Sequence, residues 1–350
     1  MKTFRHLFPQ VWSFDNLCLA ARKARRRKRW KSSTMAFERQ LEDNLLELQG
    51  ELRSMAWQPG ESRRFIVSRP KQREICAAPY RDRVVHHALC NIIEPIMDSR
   101  FIHDSYACRT RKGTHAALDR CQHFLRRFDW GLRGDIKRYF PSIDHGILLG
   151  MVSKRFPETE MVELFRRVIA HHQVPAWTAL PLPGDDLLTP LDHPAGLPIG
   201  NLTSQLFANR YLHELDLFVT QKLRPGAYLR YMDDFIVFHD RKQNLARFRT
   251  HIEEFLAEKL RLTLHPRKSQ VFRSDNGTPF LGFHLYPRRR RLLAAGIREF
   301  KHRFRSYRKS YEAGQMDLAD LTNRVRCWIA HAEHGDSYRL RRRLFAGLVF

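Results

Sequence analysis

The sequence predicts an α+β fold, with helices at both ends of the chain and strands concentrated between them. Three observations carry this. Apolar residues before position 60 recur at helical spacing. The stretch Tyr228-Leu-Arg-Tyr-Met-Asp-Asp-Phe-Ile-Val-Phe238 is rich in β-branched and aromatic residues on both sides of an acidic pair, the pattern of a β-hairpin with the acids at its tip. Beyond Arg288 the chain becomes basic and helical again.

Trp12, Phe14, Leu17 and Leu19 open an amphipathic segment. Phe37, Leu41, Leu45, Leu48 and Leu52 continue the helical spacing through Leu52. Between them the run Arg22 to Lys31, with Arg25, Arg26, Arg27 and Lys28 at its centre, is expected to contact nucleic-acid phosphates. Pro59-Gly60 closes this region, and residues 1–60 form a basic helical extension. Arg64 to Ser68 reads as a strand, followed by a basic hairpin over Pro70 to Ile75. Asp82 to Ile96 is an amphipathic helix. Ser105 to Gly113 is a polar, basic loop, and Thr114 can N-cap a helix from His115 to Phe128. Trp130 to Phe140 is a strand running into a turn at Pro141, with Asp135 at its carboxyl end and a helix capped by Ser142-Ile-Asp144-His145 beyond it. Several prolines, Gly184 and the pair Asp185-Asp186 make residues 171–195 a loop insertion; no strand frames that pair, which argues against a catalytic role. Gly196 to Gln205 is a small-residue loop feeding a helix from Leu206 to Leu217, and such a loop can approach a phosphate or base closely. A helix at Asn244–Leu260, the segment Leu262 to Phe272 and a strand pair kinked at Gly282 follow.

The formal charge of +25 and a pI near 10.4 attract polyanions, and nucleic acid is the first candidate. With 43% hydrophobic residues, including 24 Phe, the chain has ample material for a core, which excludes global disorder. No apolar run reaches 18 residues and no signal-peptide pattern occurs, so the expected protein is soluble, cytoplasmic and without a membrane partner. The six cysteines contain no CxxC pair, which argues against a zinc site or a disulfide framework.

Asp233 and Asp234 repel each other, and a hard divalent cation, typically Mg²⁺, compensates such a pair. A sheet that brings Asp135 beside the hairpin assembles three carboxylates around two cations, the arrangement required for in-line nucleotidyl transfer. Lys268 would then neutralise or protonate the departing pyrophosphate.

In order and wording, the stretch from about Arg73 to His284 resembles the palm of a reverse transcriptase, with Tyr231-Met-Asp-Asp234 as its catalytic box. The resemblance implies a right-hand polymerase: fingers and palm over 61–290, with the palm core at about 130–145 and 196–290, and a helical thumb over 291–350. Arg73 to Arg83 resembles the first fingers motif and Ser105 to Gly113 the second. It implies that Asp135, Asp233 and Asp234 are catalytic metal ligands for two Mg²⁺ ions, with Mn²⁺ as a substitute. Arg73 is implied to contact the incoming triphosphate. Phe140, five residues beyond Asp135, stands where such enzymes place the gate against a ribose 2′-hydroxyl, which implies deoxynucleotide substrates. Ile199, Gly200 and Gln205 complete the implied nucleotide pocket, and Arg109, Lys112, Gly282, Arg289 and Arg290 are expected to contact nucleic acid.

Most reverse transcriptases carry Gln-Gly followed by Ser-Pro in the small-residue loop, whereas this chain reads Ile199-Gly200-Asn-Leu-Thr-Ser204-Gln205. That wording is similar to the enzymes of diversity-generating retroelements, which copy a template RNA with errors at adenines. This resemblance implies template RNA, a cDNA or primer, deoxynucleoside triphosphates and a small basic helical accessory protein as partners, in a bacterial or phage-infected cell. Asn209-Arg-Tyr-Leu-His213 matches only the outer letters of the retron signature. A reverse transcriptase domesticated for phage defence with a noncoding RNA would share the same palm residues. A basic RNA-binding scaffold with an inactive palm is the non-enzymatic alternative.

Overall fold

The computed structural model describes residues 3–68, 72–175, 180–182, 184–186 and 188–346. The amino-terminal region is helical as expected: α1 (Phe8–Val11), α2 (Phe14–Ala24), α3 (Ser32–Arg39) and α4 (Leu41–Arg53). The helical spacing through Leu52 does not form one helix. Gln40, with φ −123° and ψ 50°, separates α3 from α4. Leu17 of α2 is buried where α2 packs on α5 (Tyr80–Asp98), and Leu45, Leu48 and Leu52 of α4 are buried in the same core with α4 packed on α2, so the apolar faces read from the sequence do pack.

β1 (Arg63–Val67) and β2 (Arg73–Ala77) pair antiparallel, and the turn between them, including Pro70 and Lys71 of the expected hairpin, lies outside the described residues. Every β1 residue is exposed, Ile66 at 61%. α6 spans Thr114–Arg127, but Thr114 is not its cap. Gly113, at φ +102°, takes the N-cap position, and the Thr114 hydroxyl instead meets the Tyr231 hydroxyl at 3.2 Å.

The centre is a four-stranded antiparallel sheet in the order β4-β5-β3-β6, built from β3 (Trp130–Asp135), β4 (Ala227–Tyr231), β5 (Asp234–His239) and β6 (Gln270–Arg273). Its faces are covered by α6, α10 (Leu202–Leu217) and α11 (Lys242–Leu260), which bury Leu132, Phe235, Ile236, Val237 and Phe238. Asp144 caps α7 (His145–Ser153) by accepting the Ile147 amide at 2.8 Å. α8 (Thr159–Ala170) follows, and the 171–195 stretch carries only the short α9 (Thr189–Asp192).

The carboxyl-terminal region is not purely helical. β7 (Thr278–Phe280), β8 (Phe283–Leu285) and β9 (Arg290–Leu292) form a second sheet before α12 (Ala294–Glu312), α13 (Leu318–Ala332) and α14 (Tyr338–Phe345). Arg290 and Arg291 therefore lie in a strand rather than in a helical tail, and a boundary at 290/291 would cut β9. Phe300 stacks on Trp328 at 3.8 Å and anchors α12 to α13. Among the described residues no helix is long and apolar enough to cross a membrane.

Candidate active site

β3 and β5 place Asp135 directly opposite Asp234. The hairpin β4–β5 turns through Met232 and Asp233, with Met232 in the left-handed region at φ +55°. A non-glycine residue there requires support from its surroundings. The support is Arg230, which is fully buried and donates to the Met232 carbonyl at 3.0 Å. Its guanidinium grips Asp216 through two bonds of 2.6 Å, and the Tyr228 hydroxyl donates to the same carboxylate at 2.8 Å. Burial opposes charge on Asp216, but Arg230 outweighs it and holds the carboxyl below its usual range. The fork geometry of Arg and carboxylate gives this bracket its rigidity. The sequence reading missed it entirely. The only signal was an Arg inside an otherwise apolar strand.

The three carboxylates meet unequal surroundings. Lys268 donates to both Asp135 oxygens at 2.8 and 2.9 Å. Arg133 donates to Asp234 at 3.1 Å. Among the described residues no cationic side chain donates to Asp233: burial first, then the charge of Asp234, pushes its carboxyl up to about 6. Asp234 is also raised by burial, with Arg133 opposing. Among the described residues no three His, Cys, Asp or Glu side chains are drawn together tightly enough to hold a metal ion. The three carboxylates are nonetheless hard oxygen donors of the kind Mg²⁺ takes, with Lys268 and Arg133 set against two of them.

Asp135 and Asp233 open into a cavity of about 580 Å³ that Arg73, Phe140, Ile199 and Lys268 also line. Phe140 is half-buried, edge-on to Tyr139 at 5.6 Å, and its carbonyl accepts the Leu197 amide at 2.9 Å. The Ile199 carbonyl accepts the Cys76 amide at 3.1 Å, which fastens the small-residue loop to β2. Gly200 needs its lack of a side chain, since φ is +123° and a Cβ would lie 3.1 Å from Ile75. Gln205 is not brought to this cavity. α10 starts at Leu202, so Gln205 sits in its first turn.

The expected nucleic-acid contacts divide. Arg26, Arg27 and Arg289 are exposed, Arg289 lying over the Tyr286 ring. Arg25 is tied to Glu38 at 2.6 Å, and Lys28 is half-buried. Arg109 is committed to the fold: its side chain is 8% exposed and donates to Asp98 and to the carbonyls of Asp98, Ile102 and Ser105. Arg290 likewise holds Asp119, Gln122 and the His334 carbonyl. Lys112 donates to the His103 carbonyl at 2.8 Å. Gly282 makes the β7–β8 turn at φ +89° and lies beside His331. The charge that the sequence assigned to phosphates is at Arg109 and Arg290 spent on internal joints, because a basic loop looks the same in sequence whether or not acids fold back onto it.

The reverse transcriptase (RNA-dependent DNA polymerase) family model matches residues 67–285, well over half of the chain. Protein YkfC of Escherichia coli is 26% identical over 285 residues, covering 70% of this chain and 71% of that protein. The group II intron-encoded protein LtrA of Lactococcus lactis is 22% identical over 315 residues, covering 71% of this chain and half of that protein. Apo telomerase from Candida tropicalis aligns with a TM-score of 0.48 at 11% identity, covering 66% of this chain and 48% of that one. The chain thus spans most of YkfC but only about half of LtrA and of the telomerase chain. On the match across β2 to β8, with the acid-tipped hairpin and Asp135 inside it, the chain belongs to the reverse transcriptase family of RNA-directed DNA polymerases.

Proposed function

We propose that this chain copies a template RNA into cDNA at the cavity where Asp135 and Asp233 meet Phe140, Arg73 and Ile199. The observation that carries the reading is the β3–β5 register, which sets Asp135 against Asp234 and leaves Asp233 at the turn. In this reading the central sheet is the palm, β1–β2 belongs to the fingers and α12–α14 form the thumb. Asp135, Asp233 and Asp234 would hold Mg²⁺, which would supply activation of the primer 3′-oxygen and charge neutralisation of the triphosphate. Lys268, which donates to Asp135, is the cation placed to neutralise the leaving pyrophosphate. Arg73, exposed at the cavity mouth, meets the triphosphate. Phe140 excludes a 2′-hydroxyl and so selects deoxynucleotides.

The finer reading is an error-prone enzyme of the diversity-generating type, working with a structured template RNA and a small basic accessory protein. Ile199 supports it: an isoleucine lining this cavity offers no side-chain hydrogen bond, where by the resemblance stated above most reverse transcriptases carry glutamine. Primer extension on a defined RNA with Mg²⁺, followed by sequencing of the cDNA, tests both levels. Product from the parent and none from Asp233→Asn supports the catalytic assignment, and extension by Asp233→Asn at the parent's rate removes it. An excess of errors opposite template adenine, reduced in Ile199→Gln, supports the subtype. An even error spectrum in the parent removes the subtype and leaves the polymerase.

A further inference from the structure

Behind β2 lies a second cavity, also of about 580 Å³, which the sequence reading did not anticipate. Its walls include Glu61, Ser62, Arg63, Arg64 and His171, and the Ser62 hydroxyl meets His171 Nε2 at 3.3 Å. Two guanidinium groups outnumber the one carboxylate, and with a hydroxyl and an imidazole beside them they suit a phosphodiester backbone. Cys76 and His172 line both this basic cavity and the cavity of the carboxylates, so the two spaces adjoin at that pair.

His172 belongs to the 171–195 insertion, and its neighbourhood is fixed. The Val174 amide donates to the Ala195 carbonyl at 2.9 Å. Gly196, at φ +113°, packs so close beneath Val174 that a Cβ would stand 2.8 Å from its Cγ1. The amides of Gly196 and Leu197 in turn donate to the carbonyls of Ile143 and Phe140, each at 2.9 Å. One loop therefore positions both the wall carrying His172 and the gate residue Phe140.

Three other polar side chains of the carboxylate cavity are already engaged, while Arg73 and Asp233 are assigned above to the triphosphate and the cation. The Tyr139 hydroxyl donates to the Ala208 carbonyl, Lys268 grips Asp135, and His265 Nδ1 accepts the Arg267 amide at 3.3 Å. No hydrogen bond to a described neighbour engages the His172 ring. Burial, and then the charge of Arg64, lower its pKa, so near neutral pH the imidazole is uncharged and can both donate and accept. A templating base has its pairing edge turned to the incoming nucleotide. What it leaves to a residue at the seam between a strand-binding cavity and the reaction cavity is its sugar.

We propose that His172 is a specificity residue that hydrogen-bonds the ribose 2′-hydroxyl of the templating nucleotide as the template passes from the basic cavity to the carboxylates. The proposal rests on the reverse-transcriptase reading above and adds to it a residue that distinguishes RNA from DNA templates. The contact is worth about ten-fold in kcat/KM.

The test measures single-nucleotide incorporation on RNA and DNA templates of one sequence by the parent, His172→Phe and His172→Gln. The expected result is a parent preference for RNA, lost about ten-fold in His172→Phe and largely kept in His172→Gln. Phenylalanine keeps a ring without the hydrogen bond, and glutamine keeps the hydrogen bond without the ring. Equal losses on both templates, rescue by Phe but not Gln, or a parent indifferent to template sugar would each overturn the role of His172. A parent that extends neither template instead overturns the polymerase reading on which it rests.

Discussion

Replacing Arg230 with methionine tests whether the buried bracket holds the Met232-Asp233 turn. Both Arg230 and Asp216 are 0% exposed, and two bonds of 2.6 Å join them. Removing the guanidinium leaves a carboxylate buried with only the Tyr228 hydroxyl and the more distant His213, whose Nδ1 lies 3.9 Å away. Breaking one side of such a pair costs about 3–5 kcal/mol. Loss of the bond to the Met232 carbonyl adds about 1 kcal/mol. The double variant Arg230→Met, Asp216→Leu removes both charges and should recover most of the stability, since well-packed apolar pairs replace buried ion pairs at little cost. It should not recover activity, because the carbonyl of a turn residue at φ +55° still lacks its anchor. Urea unfolding followed by tryptophan fluorescence gives the stabilities, and primer extension gives the activity. A single variant within about 1 kcal/mol of the parent, a double variant no more stable than the single, or a fully active double variant would refute this reasoning.

Gly134→Ala should destabilise by about 1–3 kcal/mol and depress extension, since a Cβ there would meet the Phe235 ring at 2.1 Å, one register step from Asp135 and Asp234. Unfolding and extension measured together check it, and an unchanged midpoint would show that the ring moves freely. Phe140→Ala should raise the ratio of ribo- to deoxynucleotide incorporation without loss of metal dependence, and an unchanged ratio would leave Phe140 as packing. His86 is buried on α5, its pKa pushed down to about 3 by burial first and then by His87, His171 and Arg83. The unfolded chain takes up that proton near pH 6.5 and the folded chain only near 3, so stability is complete above 6.5 and falls as pH drops through this window. His86 contributes up to about 1.4 kcal/mol per pH unit there, and His86→Leu should flatten the fall in urea midpoint between pH 6.5 and 4.5. The same slope in variant and parent would assign the acid sensitivity elsewhere.

Local chemistry in the chain determined the helical ends, the acid-tipped hairpin, the strand ending in Asp135 and the Asp144 cap, because period, propensity and turn residues act over a few positions. The candidate carboxylates were legible for the same reason: two adjacent acids between apolar strands have few structural uses. Only the tertiary structure could decide partners. It placed Lys268 on Asp135 and Arg133 on Asp234, turned Arg109 and Arg290 inward, and moved Gln205 away from the cavity by starting α10 at Leu202. It also broke the amino-terminal helix at Gln40 and made Arg290–Leu292 a strand through pairing with β8. The bracket of Arg230 and Asp216 joins residues fourteen positions apart on different elements. The adjoining of two cavities depends on His172, just beyond α8, standing beside Cys76 of β2. Such relations are set by which surfaces meet once apolar faces are buried, and a linear pattern of charge carries no record of the acid that will stand opposite each base.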